Sequence, residues 1–133
     1  MMYMNLNDAN IREQIIFGRD YNPETYRYRG MVRFDRLDKE DARKLMELGF
    51  LDPDDCQNDS PTAKEFLEFA ENHGEGWILH GYVISPERDD CRVTIEGLCC
   101  EMELTKEELV DFVQLCRFAD NFDIENGAYC WYD

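Results

Sequence analysis

Apolar residues recur at helical spacing in three stretches of this chain, each with its own start and stop signals. In the first, Ala42, Leu45, Met46 and Leu48 form a stripe that begins after Leu37 and Asp38, with Asp38 placed to cap. Gly49 suits the left-handed position at its exit. In the second, Phe66, Leu67, Phe69 and Ala70 lie between Ser60-Pro61 and Gly74, so Ser60 is expected as the cap and Pro61 as the first helical residue. The third carries a capping box in Thr105 and Glu108, with Leu104 and Leu109 where a hydrophobic staple would place them. Its apolar positions, Leu109, Val110, Phe112, Val113, Cys116 and Phe118, predict a broad buried face.

Alternation with a period of two marks the strands. Residues 25–34 alternate aromatic or apolar side chains with arginine, and Gly30 reads as a bulge. Residues 77–84 and 92–102 form a hairpin around the polar turn 85–90. Val93 and Ile95 alternate there with Arg92, Thr94 and Glu96, which predicts one buried and one wet face. The aromatic stretch 128–132 supplies a further strand. Residues 1–10 are polar and expected to fray, 11–17 suit a short helix or an irregular packed segment, and 20–23 read as a turn. The order predicts a single α+β domain over 1–133, with a small antiparallel sheet of about four strands and three helices packed mainly on one face.

The chain has 133 residues, 44% of them hydrophobic and 13% aromatic, which is too apolar for disorder despite its charge. No apolar run approaches the ~20 residues of a membrane span, and residues 1–8 lack the basic start and apolar stretch of a signal peptide. A cytoplasmic protein is expected. Six cysteines are then expected as reduced thiols, Cys116 and Cys130 among them serving as small buried hydrophobes.

Charge changes the picture most. Of the formal net charge of −16, residues 38–133 contribute 25 Asp/Glu against 8 Lys/Arg, while residues 1–37 carry 5 against 6, every cation an arginine. So acidic a body repels nucleic acid and anionic membrane and attracts basic partners.

Four aspartates crowd the loop 51–60, yet the calcium pattern fails, because Gln57 stands where its glycine belongs and Ala63 where its closing glutamate belongs. The second acidic stretch, 120–126, lacks that spacing too. Zinc would require paired ligands, and His80, Cys91, Cys99 and Cys130 share no such spacing. His80 with a cysteine is a conceivable nucleophilic pair, and Glu101 with Glu103 a same-face carboxylate pair if the strand runs that far. Neither defines a catalytic set, and no cofactor or metal is expected. Tyr26, Arg27, Tyr28 and Arg29, with Arg33 and Arg36, read as internal ion-pairing groups or as docking residues.

The second helix carries Glu65, Glu68 and Glu71 with only Lys64 to relieve them, a spacing that weakens an isolated helix. With Asp52, Asp54, Asp55 and Asp59 of the preceding loop, these are the candidate partner-binding residues. The expected function is a small acidic protein-interaction module, of inhibitor, immunity or accessory type, that binds a basic protein. Two other readings stand beside it: a DNA mimic blocking a nucleic-acid-binding protein, and a small enzyme or ligand binder with its site near His80 and Tyr82. The aromatic C-terminal strand also suggests a homodimer edge.

Overall fold

The computed structural model describes residues 4–18 and 30–133. The turn expected at 20–23 and the Tyr26–Arg29 segment lie outside these residues. Four helices and five strands follow one another: α1 (Leu6–Phe17), β1 (Met31–Asp38), α2 (Lys39–Glu47), α3 (Ala63–Asn72), β2 (Trp77–Ile84), β3 (Val93–Cys100), α4 (Lys106–Leu115), β4 (Asn121–Asp123) and β5 (Ala128–Trp131). The strands form one antiparallel sheet in the order β1-β2-β3-β5-β4. The α+β architecture matches the sequence reading, with one strand and one helix more than expected.

The additional helix is α1, which occupies part of the span expected to fray. Asn5 caps it, its side chain accepting from Asp8 N at 2.8 Å. Its inward positions hold Ala9 together with an ion pair, Arg12 and Glu13, both fully buried. Arg12 also donates to the Ile84 carbonyl at 2.9 Å, tying the helix to the end of β2. Residues 11–17 suit a short helix on sequence alone; the structure extends it back to Leu6, and the inward-facing charged pair masks the stripe that would mark its full length.

β1 runs on to Asp38, beyond the Phe34 expected as its end. Its irregularity falls between Phe34 and Leu37, so both turn inward although three residues apart. Gly30 precedes the strand at φ 69°, so it is not the bulge. Asp38 caps α2 as predicted, and Gly49 follows it at φ 84°. Ala42 and Leu45 are its buried residues, whereas Leu48 is exposed. α3 starts two residues later than predicted. Thr62 is the cap, in a reciprocal box with Glu65, and Ser60 instead accepts from Gln57 N and donates to the Pro61 carbonyl. A Ser60 cap would have had Ala63 at its third position, with no carboxylate to return the bond.

The core lies between the helices and one sheet face. Phe66, Leu67, Leu79, Leu98 and Phe112 are fully buried there, each such side chain contributing roughly 1.5–3 kcal/mol on transfer from water. Trp77 sits edge-on to Phe69 at 4.9 Å and packs on Phe112 at 5.3 Å, which joins α3 and α4 to β2. α4 departs from its predicted broad buried face. The Thr105–Glu108 capping box is present, but within the helix only Phe112 is buried, and Val110, Val113 and, beyond its end, Phe118 are exposed. Among the described residues no helix is long and apolar enough to cross a membrane.

Candidate interaction surface

The acidic loop is strapped to the start of α3. Ala63 N donates to the Asp55 carbonyl and Lys64 N to the Pro53 carbonyl, both at 2.9 Å, and Ser60 N donates to the Gln57 carbonyl at 2.7 Å. Loop and α3 are thereby held together, and their acidic residues form the candidate ridge. The seven candidate residues divide within it. Asp52 closes its own turn by accepting from Asp54 N at 3.0 Å. Asp55 is half-buried; its carboxyl is pushed above the usual range mainly by burial, with Asp52 adding and Arg92 opposing. Glu65 completes the capping box. Glu71 accepts two bonds from Arg43 of α2, at 3.0 and 2.5 Å, and that hydrogen bonding lowers its pKa. Asp54 and Asp59 face solvent, and Glu68 lies 3.9 Å from Lys64.

The opposite sheet face carries a second polar set, which includes His80. Cross-strand partners share a face, so Ile78, His80 and Tyr82 of β2 stand with Thr94, Cys99 and Tyr129, away from the Trp77 and Leu79 side. The expected wet face of β3 is in fact closed: Thr94 and Glu96 are each 2% exposed. Glu96 accepts from Arg33 of β1, from Trp131 Nε1 at 3.1 Å and from Gln57 Nε2 of the acidic loop at 3.4 Å. Burial raises its pKa, the largest influence, while Arg33 and the Trp131 hydrogen bond pull it down. Arg92 joins Tyr82 and Thr94 by donating to both hydroxyls, at 2.9 and 3.1 Å.

His80 is 8% exposed and lies flat against Tyr129, ring centroids 5.1 Å apart. Its Nε2–H donates to the Cys130 carbonyl at 2.8 Å, and burial lowers its pKa, so the ring is neutral near pH 7. The contact depends on Gly97, where a Cβ would stand 1.9 Å from that same carbonyl and 2.8 Å from His80 Nε2. Cys99, on this face, is pushed up to about 11 by burial and stays a thiol. Cys130 points the other way, toward Cys116, whose pKa is raised first by their hydrogen bond and then by burial. The cysteines considered with His80 are thus split between the two faces of the sheet. Among the described residues no group of three or more potential ligands could hold a metal ion. Glu101 and Glu103 lie beyond β3 and so are not a strand-borne pair; Glu101 accepts from Arg36 at 3.0 Å.

The Glu96 network escapes a reading of the sequence because its members alternate like ordinary solvent-facing residues. Only the run of polar residues on a strand flanked by aromatic strands hinted at burial. No family model, curated protein or solved structure matches this chain.

Proposed function

We propose that this protein is a non-enzymatic interaction module that binds a basic protein through the acidic ridge of loop 52–59 and α3. One observation carries the reading: among the described residues five of the eight cations of 38–133 are engaged, and of the ridge only Glu71 is held by an arginine. Arg43 is held by Glu71, and Arg88 and Arg92 share Asp90. Lys39 donates to the carbonyls of Ala70 and Gly74, and Arg117 to that of Gln114. Among the described residues Asp54 and Asp59 have no ion-pair partner, and Glu68 has Lys64 at 3.9 Å with Arg43 near enough to feel its charge. Such a surface raises the encounter rate with a positively charged partner and is screened by salt.

The test is affinity capture on the tagged protein at low salt after nuclease treatment, repeated with Asp54→Lys/Glu68→Lys. A basic protein retained by the original chain, released by high salt and at least 10-fold weaker on the double variant supports the reading. Equal retention by both proteins excludes the ridge. If the captured protein is a nucleic-acid enzyme whose DNA or RNA competes for the same contact, the acidic surface acts as a nucleic-acid mimic.

A further inference from the structure

Exposed apolar side chains are concentrated in one stretch of the chain. Ten large hydrophobic residues are exposed among the described residues, and six of them lie within 102–124: Met102, Val110, Val113, Phe118, Phe122 and Ile124. Val110 and Val113 sit close together on the outer side of α4, and Phe122 of β4 stacks on Phe112 with centroids 5.7 Å apart, bringing the edge strand alongside the helix. Among the described residues β4 pairs only with β5, which leaves its other side as a sheet edge. Clusters of this kind, rimmed by charge, mark contact surfaces.

The rim identifies the occupant. Residues 101–125 hold eight Asp/Glu against two Lys/Arg, and one of those two, Arg117, lies over the Phe118 ring at 5.0 Å. A second copy of the chain would bring an equally acidic rim against this one, a like-charge contact that disfavours self-association. A segment with hydrophobic residues flanked by lysine or arginine would meet the apolar centre with its apolar side chains and the acidic rim with its cations. We infer that the α4–β4 edge docks such a cationic amphipathic segment of the basic partner. This rests on the reading of the protein as a binder of basic proteins, and adds an apolar contact on α4 and β4 to the acidic ridge.

The experiment uses the whole chain and two fluorescent probes, a leucine–lysine amphipathic peptide and an oligolysine of equal charge. The variants are Val110→Ser/Val113→Ser/Ile124→Ser, at exposed positions whose loss leaves the core intact, and Asp54→Lys/Glu68→Lys. Expected is tighter binding of the leucine–lysine peptide than of oligolysine, weakened at least 10-fold by the triple serine change, with backbone amide shifts centred on 109–124. Oligolysine binding as tightly as the leucine–lysine peptide, or a triple variant that binds unchanged, overturns the α4–β4 site while leaving the basic-partner reading in place. No binding of either probe at low salt overturns both. A dimer in sedimentation that the triple variant abolishes also overturns the inference, because the occupant is then a second copy.

Discussion

Glu96 illustrates how a single carboxylate is kept inside this protein. It is 2% exposed, and Arg33, Trp131 and Gln57 all donate to it. Burial, the largest influence, lifts its folded pKa above the unfolded value of 4.5. Between those two values the native state binds the proton that the unfolded chain has released, so the contribution of Glu96 to stability falls as pH rises through that window. Glu96→Gln removes the titration. The stability of the original chain relative to Glu96→Gln should therefore decline from about pH 4 upward, as followed by urea midpoints at several pH values. A difference that grows with pH would mean that Arg33 dominates over burial. Its neighbour Gly97 works on the same face, because the missing Cβ lets the Cys130 carbonyl approach and His80 reach it at 2.8 Å.

At the level of the element, the helix starts are where local chemistry decides structure. Thr62 and Glu65 each satisfy a backbone donor of the other, at 3.1 and 3.0 Å. Thr62→Ala should cost about 1 kcal/mol by chemical denaturation, and Ser60→Ala less, since Ser60 bonds only within the loop. The reverse ranking would restore Ser60 as the cap. The capping residues of α2 and α4 were legible in the sequence because a cap involves residues three apart; α3 was misplaced because Ser60-Pro61 imitates a start two residues early. The closed outer face was not legible. Glu96 meets Arg33, Gln57 and Trp131 across 63, 39 and 35 residues of chain, and Arg43 meets Glu71 across 28. Charges can be counted along a chain, but their pairing waits on the fold. α4 shows the converse limit: its apolar positions were visible, while which of them face the core depends on how the helix leans on Trp77 and Phe122.

For the whole molecule, a net charge of −16 on a domain this size means that folding compresses like charges. Raising sodium chloride from about 0.05 to 0.5 M shortens the Debye length several-fold and should raise the unfolding midpoint, by roughly 3–6 °C if repulsion costs about 1 kcal/mol. A midpoint that falls with salt would show that the internal ion pairs outweigh the repulsion. Topology bears on association too. β5 is interior, with β3 on one side and β4 on the other, so the C-terminal strand is not a free edge; among the described residues the sheet ends in β1 and β4. That placement also orders events during synthesis. β4 emerges first yet has no place in the sheet until β5 lies between it and β3, so the two join β3 together as a hairpin. Until β5 is in place, the side of β3 that receives it has no strand partner among the described residues. A chain cut short before Ala128 would therefore leave β3, interior in the finished sheet, as an exposed edge open to pairing with another chain.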